Sequence, residues 1–300
     1  MSDCGTRPVV KAVTYFLVHV PSLVRHGSKP SRELLKNPNL LKPITDHLWP
    51  FEKAVAYPPN QVFIGNLDPD DLVRKIPSPW HRNLLPDASR RGPFGEIMPE
   101  AEFYGMMKIC DEFDLFWVEE GFLSETAARW QDHPLFQAAD LKRLEKGTTI
   151  EDIRRKIDED GALPMVVGDR LVGCIRSADD EDASLAPGIL MENLASRASG
   201  ALALRRLTAK TGNAGEIDYL LGCGEEAVGD RYNRGGGNMA KAIGELCGCN
   251  RATGSDVKPF CCAPVHAMVL AASLVVSKIF GNVAVVAGGS LAKLGMKFQG

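Results

Sequence analysis

Two adjacent cysteines, Cys261 and Cys262, stand in the segment SDVKPFCCAPVHAMVLAASLVVSK, residues 255–278. An extended segment precedes them and an apolar segment of helical character follows, so the pair lies where a helix begins. The unpaired amides and the dipole at a helix N-terminus favour an anion, and a cysteine placed there is a better nucleophile. A catalytic thiol and an inert core cysteine are both open on spacing alone.

Metal binding and disulfide formation are less favoured uses of these thiols. Cys247, Cys249, Cys261 and Cys262 do not form the paired CxxC knuckles of a zinc site, and no histidine stands at ligand spacing. A disulfide between direct neighbours would be strained. We therefore expect neither a metal nor a cofactor.

Glutamates follow a predicted strand in the segment GCGEEAVGDR. Glu225 and Glu226 would lie at a sheet edge where open α/β sheets build their sites. A carboxylate there can act as a general acid or base. An exposed loop charge is the alternative.

The segment RYNRGGGN, residues 231–238, enters a predicted helix. Glycines and arginine at a helix N-terminus can hold a phosphate. The segment lacks the lysine of a P-loop and the spacing of a dinucleotide fingerprint, so a flexible helix entry stays open as the alternative. With the glycines of AGGS further on, the candidate substrate-binding residues are Arg234, Gly235, Gly236, Asn238, Gly288 and Gly289.

The histidines near these segments are poor partners for a thiol. His266 follows Cys261 by five residues, which is about 140° around a helix, so the two do not share a face. We expect His266 to be packed, and His19, in the first predicted strand, to be a satisfied core residue.

Composition is that of a globular protein that does not bind nucleic acid. Charged residues make up 24% of the chain and hydrophobic residues 45%, and the net charge is −3 with no basic stripe. The eight cysteines and the absence of a signal-peptide pattern favour a reducing cytoplasm.

Nineteen uncharged residues separate Lys258 from Lys278, but the helical part is too short for a membrane span. A buried helix, apolar on all sides, is the expectation.

The elements divide the chain at about Pro187. Residues 9–20 read as a strand, and a Pro- and Gly-rich region follows, with helices predicted at 98–112, 123–131 and 149–159. A hairpin should turn at Gly168–Asp169.

Beyond Pro187, helices and strands alternate as in an α/β domain with a parallel-rich sheet. The first of these helices, 190–212, places Gly212 where a C-cap belongs. The next segment, IDYLLGCG, reads as a short strand buried on both faces.

The order IDYLLGCGEE, GGGNMAKAIGELCGC, ATGSDVKPFCCAP, NVAVVAGGSLAKLGMKFQG resembles the first half of a thiolase-like condensing enzyme of the beta-ketoacyl synthase III type. This resemblance implies that residues 1–26 hold the first core strand. It further implies an α+β insertion over 27–187, and a core half over 188–300 within an αβαβα fold. In that family the junction cysteine carries an acyl thioester, which points to Cys261. Glu225 matches the position of a general acid/base glutamate in the HMG-CoA synthase branch of the same group.

Further segments, YPPNQVFIGNLDPDDL, FGEIMPE, LVGCIRSADD and RGGGNMAKAIGE, resemble the component C beta subunits of glycine, sarcosine and betaine reductases. This resemblance implies transfer of an acetyl group from carboxymethyl-selenoprotein A, through a thioester on Cys261, to phosphate. It implies selenoprotein A and the component C alpha subunit as partners, in a homo- or hetero-oligomer without nucleic acid or membrane. A condensing enzyme that uses acyl-CoA or acyl carrier protein, and a silent scaffold subunit, are the alternatives.

Thiolase-like enzymes consist of two similar halves, and the second half supplies histidine or asparagine partners to the cysteine. The sequence reaches Gly300 directly after the strand that should end a first half. We therefore expect those partners to come from outside these residues.

Overall fold

A computed structural model describes residues 7–178, 181, 185–212, 214–224 and 238–289. In chain order the strands are β1 Tyr15–His19, β2 Gly95–Pro99, β3 Phe116–Val118, β4 Leu163–Val167, β5 Arg170–Ile175, β6 Tyr219–Gly222, β7 Thr253–Asp256 and β8 Val283–Val286.

The helices of the described residues range from six-residue segments to the 25-residue α10. They are α1 Ser28–Lys36, α2 Leu41–Asp46, α3 Phe51–Ala56, α4 Pro58–Ile64, α5 Pro69–Lys75, α6 Glu100–Ile109, α7 Glu120–Trp130, α8 Ala138–Arg143, α9 Ile150–Asp160, α10 Pro187–Thr211, α11 Met239–Leu246 and α12 Ala263–Val276.

Strands of the described residues form separate small sheets. β1 and β2 pair in parallel, β3, β5 and β4 form an antiparallel sheet, and β7, β6 and β8 form a parallel sheet with β6 in the centre. These sheets confirm an α/β protein with parallel pairing. β1 pairs with a strand of the predicted insertion, and the division into insertion and core half stays a prediction.

The parallel sheet has a helix layer on each face because its central strand is apolar on both. Leu220 of β6 packs into the main core, which contains residues of α10 and α11. Leu221 packs on the opposite face with Ala263, Ala267 and Ala271 of α12. The prediction of a strand buried on both faces is confirmed.

α12 differs from its prediction. The helix buries only a row of alanines against the sheet, and its outer side is open: Val265 is 67% exposed and Val269 60% exposed. His266 is exposed as well, so the expectation that it is packed is wrong. The sequence does not indicate which side is buried, because α12 is apolar on every side. The face that packs against the sheet is the one that carries the small alanines.

Other local predictions are confirmed with small shifts of boundary. α6, α7 and α9 match the expected helices, and β4 and β5 form the expected hairpin with Gly168 in the left-handed region. Gly212, at φ 92°, ends α10 as a left-handed C-cap. At the start of α9 the Thr149 hydroxyl bonds both the amide and the carboxylate of Asp152.

A buried polar network joins the turn after β1 to α6 and to the β4–β5 hairpin. The Glu100 carboxylate accepts hydrogen bonds from the Ser22 amide (2.8 Å), the Ser22 hydroxyl (2.7 Å) and the Tyr104 hydroxyl (3.3 Å). The Gly168 amide donates to Ser22 Oγ at 3.1 Å. Burial raises the pKa of Glu100 to about 7, against the opposing effect of these hydrogen bonds.

This network predicts a pH dependence of stability. Glu100 has a pKa of 4.5 in the unfolded chain and of about 7 in the folded protein. The folded protein therefore loses stability as the pH rises between those values, because only the unfolded chain ionises there. The free energy of unfolding of the wild type should therefore fall by about 3 kcal/mol relative to Glu100→Gln between pH 4.5 and 7. Urea unfolding at both ends of this range measures it. Glu151→Gln, which removes an exposed carboxylate, is the control. If the free energy of unfolding depends on pH in the same way for the wild type and Glu100→Gln, the raised pKa does not belong to Glu100.

Candidate functional site

The carboxyl ends of β6, β7 and β8 meet at one edge of the parallel sheet, and the candidate site is built on the segments that leave this edge. β6 continues into Cys223 and Gly224, β7 into the segment 257–262, and β8 into Gly288 and Gly289. Backbone hydrogen bonds extend the pairing past the strand ends, from Cys223 to Val286 at 2.8 Å and from Val257 to Gly222 at 2.7 Å. Open parallel sheets place their sites at this edge.

Cys261 lies in a single 3₁₀ turn between β7 and α12, and its side chain is exposed. Cys262 is the N-cap residue of α12 and is also exposed; its amide donates to the Pro259 carbonyl at 3.3 Å. No side chain of the described part of the chain caps the α12 N-terminus, and its first turn holds no acidic residue. The first amides of α12 therefore have no acidic side chain of their own turn as a partner.

The other cysteines in the described ranges are withdrawn from solvent to different degrees. Cys110, Cys174, Cys223 and Cys249 are buried, and Cys247 is half-buried with its Sγ donating to the Ala201 carbonyl. Burial raises the pKa of Cys174 to about 11 and that of Cys110 to about 12. These thiols stay protonated near neutral pH, which makes them poor nucleophiles.

Asp256, the last residue of β7, holds the N-terminus of α11. Its carboxylate accepts hydrogen bonds from the amides of Met239 (2.9 Å) and Ala240 (3.0 Å). A Cβ on Gly222 would lie 2.1 Å from the Asp256 Oδ1, so the glycine leaves the space that this carboxylate needs. Asp256 was not predicted from the sequence, although an acidic residue at a strand end beside a glycine-rich helix entry was an available signal.

Asn238 caps the same helix. Its side chain accepts from the Lys241 amide at 2.9 Å and donates to the Gly254 carbonyl. Together with Asp256 it satisfies the first three amides of α11, so these donors are no longer open to a phosphate. A binding role for Asn238 stays a prediction, and Glu225, Arg234, Gly235 and Gly236 lie outside the described residues.

Gly288 and Gly289 fix the exit of β8 to α10. The Gly289 amide donates to the Ser199 hydroxyl at 3.0 Å, so this amide is not free to stabilise an oxyanion. A Cβ on Gly288 would lie 1.8 Å from the Ser196 carbonyl oxygen. A cavity of about 20 Å³ lies beside these residues, and its described lining includes Asp256 and Lys258 but not Cys261.

One group of buried side chains elsewhere has the composition of a metal site, namely Glu96, Glu102 and His133. The Arg90 guanidinium donates to both Glu102 oxygens (2.7 and 2.8 Å) and to Glu96 (2.8 Å). His133 Nε2 lies 3.0 Å from Glu96. The arginine already supplies the cation that the two carboxylates need, so this group is an ion-pair network.

His19 has a backbone hydrogen-bond partner, as expected, but it is half-buried and not a core residue. Its Nε2 lies 2.7 Å from the Trp49 carbonyl oxygen.

Among the described helices, none combines the length and hydropathy that crossing a membrane requires.

Comparison with known proteins gives one informative similarity. The chain is 42% identical, over 295 residues, to the "Glycine/sarcosine/betaine reductase complex component C subunit beta" of Peptoclostridium acidaminophilum. The chain resembles a reductase component. The match covers 96% of the chain, the region of the predicted insertion included, and 57% of the relative, so the chain spans little more than half the length of that protein.

Other comparisons do not extend this result. No family model matches the chain, and no solved structure matches it. The resemblance to component C beta subunits is therefore supported, whereas the thiolase-like fold stays a prediction.

The packing at Gly288 predicts a loss of stability on a minimal substitution. Gly288→Ala would force the β8 exit away from α10, and overpacking of this kind costs about 1–3 kcal/mol. Gly188→Ala, in the first turn of α10 with open space around it, is the matched control and should be neutral or slightly stabilising. Denaturant unfolding compares the two; equal stabilities would show that β8 and α10 are not in close contact here.

Proposed function

We propose that the protein is the acetyl-transferring component of a glycine/sarcosine/betaine reductase complex, in which Cys261 carries the acetyl group as a thioester. The observation that supports this most is the exposed Cys261 at the carboxyl edge of a parallel sheet, directly before the amino end of α12. The similarity to a component C beta subunit supplies the chemical setting. A cytoplasmic location belongs to the same proposal.

The position of Cys261 suits both halves of thioester exchange. Attack by the thiolate forms the C–S bond, and breakdown returns negative charge to the same sulfur atom. The amides at the start of α12 stabilise that charge in both directions. Exposure lets a large donor protein present its group to the thiol, which a buried cysteine could not allow.

Release of the acetyl group is a balanced transfer without redox change. A phosphate oxygen attacks the thioester carbonyl, the C–S bond breaks, and acetyl phosphate leaves while the sulfur regains a proton. Glu225, at the exit of β6 in the sequence, is our candidate for the acid/base that handles this proton. The candidate substrate-binding residues Arg234, Gly235 and Gly236 belong to the same proposal.

Loading from carboxymethyl-selenoprotein A needs two electrons. The Se–CH₂ bond breaks, the methylene becomes a methyl group, and the carboxyl oxygen leaves as water when the Cys261 C–S bond forms. The electrons come from the selenium and a thiol of the donor protein, which end as a Se–S bond. The chain therefore needs no redox cofactor for this step.

The thioester predicts a specific adduct. Incubation with acetyl phosphate should add one acetyl group to Cys261, detected by peptide mass spectrometry and removed by neutral hydroxylamine. Cys261→Ser should lose the adduct. Cys262→Ser removes the neighbouring thiol, which is also exposed, and should keep the adduct.

An adduct on Cys262, or labelling that survives in Cys261→Ser, would contradict the assignment of the carrier. An unlabelled wild type that instead condenses acetyl-CoA with a malonyl donor would favour a beta-ketoacyl synthase-like enzyme. A protein that binds its partners and shows neither reaction would be a scaffold subunit.

The outer side of α12 supports a subunit contact. Val265, Met268, Val269 and Val276 follow helical spacing, are 48–67% exposed, and are accompanied by no charged residue of the helix. A contiguous apolar patch of this kind marks an interaction site more often than scattered apolar residues do. We propose that the alpha subunit of component C covers this face.

Charge on this face should therefore prevent assembly. Val269→Glu is expected to abolish co-purification with the alpha subunit and to leave the fold intact, because the side chain is exposed. Val73→Glu, on α5 with 72% exposure, is the matched control and should assemble normally. Normal assembly of Val269→Glu, or a wild type that self-associates through this face without the alpha subunit, would refute the contact.

A further inference from the structure

A cavity of about 800 Å³ lies on the opposite side of the parallel sheet from α12. It is open to solvent on one side and is lined by residues of α8, the carboxyl ends of α6 and α11 and one side of α10. Its volume is in the range of small-molecule sites. Since Cys261 precedes α12, this cavity is separate from the candidate site.

Arginines from α8 and α10 converge at the end of α6. Arg143 donates to the Ile109 carbonyl at 2.6 Å, and Arg197 donates to the next carbonyl, that of Cys110, at 3.1 Å. Two guanidinium groups therefore bind the carbonyls of consecutive residues at the end of α6, and both arginines line the cavity. Arg205 is near as well, since the charges of all three arginines act on the Cys110 thiol, opposing the rise of its pKa on burial.

Two of these three positive charges have carboxylate partners. Arg205 is bound to both oxygens of Asp140, at 2.8 and 2.9 Å. Arg143 donates to Glu112 at 3.0 Å. Arg197 has no carboxylate partner among the residues that the structure describes, although it is only partly exposed.

The remaining acidic residue of the lining does not neutralise Arg197. Glu245 pairs with Lys241, one turn earlier on α11, at 3.4 Å. Within the described part of the chain, the cavity wall therefore retains one guanidinium, that of Arg197, without a carboxylate partner. A partly buried cation without a counterion is costly, and a bound anion would remove that cost.

We infer that this cavity binds a small oxyanion, a phosphate or carboxylate group, through Arg197 with Arg143 beside it. A planar guanidinium recognises both groups by paired hydrogen bonds. Arg197 uses NH1 for the Cys110 carbonyl, which orients the guanidinium at the cavity wall. Arg205 donates to Asp140 and, at 3.0 Å, to the Leu246 carbonyl, and so links α10 to α8 and to the end of α11. These bonds occupy its guanidinium, so we assign it no contact with the ligand.

Calorimetry with inorganic phosphate and, separately, acetate tests the site at constant ionic strength set with chloride. The wild type should bind at least one of the two, and preference between them identifies the head group. Arg197→Gln should weaken binding by about tenfold or more. Arg154→Gln, which removes an exposed arginine of α9, should bind like the wild type.

Chemical modification gives a readout that needs no variant. Phenylglyoxal should modify Arg197, and phosphate or acetate should protect Arg197 while Arg154 stays unprotected. Absence of binding by the wild type, or equal affinity of Arg197→Gln, or no protection at Arg197, would overturn the inference. Acetylation of Cys261 should be the same in Arg197→Gln, so failure here is distinguishable from failure of the proposed function.

Discussion

The central constraint on the structure is the pairing of β6 with a parallel strand on each side. Tyr219 of β6 is opposite Thr253 of β7 and Val283 of β8, and the three strands run in step to their carboxyl ends. Parallel strands lie about 4.8 Å apart, so the three exit segments meet within a short distance. Without this pairing, Cys261, Asp256 and Gly288 would not share an edge.

Side chains and glycines at this edge fix the exits by direct contacts. Asp256 bonds the first amides of α11, and Ser199 of α10 bonds the Gly289 amide. These contacts use donors that a sequence pattern would assign to a ligand. The amino end of α12, in contrast, has no capping side chain within the described residues.

Sequence periodicity predicted α10, β6 and the β4–β5 hairpin well, because caps, turns and apolar alternation are local signals. It did not predict which side of α12 would be buried, since valine and alanine are both apolar and only packing volume distinguishes them. It also missed Asp256 and the arginines around Cys110. Their roles depend on contacts between residues far apart in the chain, such as Arg197 with the end of α6.

The most direct test of the account is isotope exchange between labelled inorganic phosphate and acetyl phosphate. Formation of the Cys261 thioester releases phosphate, and its reversal consumes phosphate, so the protein should move label into acetyl phosphate without net reaction. If Cys261 is the carrier, we expect exchange in the wild type and in Cys262→Ser, and none in Cys261→Ser. Exchange that persists in Cys261→Ser, or that disappears only in Cys262→Ser, would contradict it.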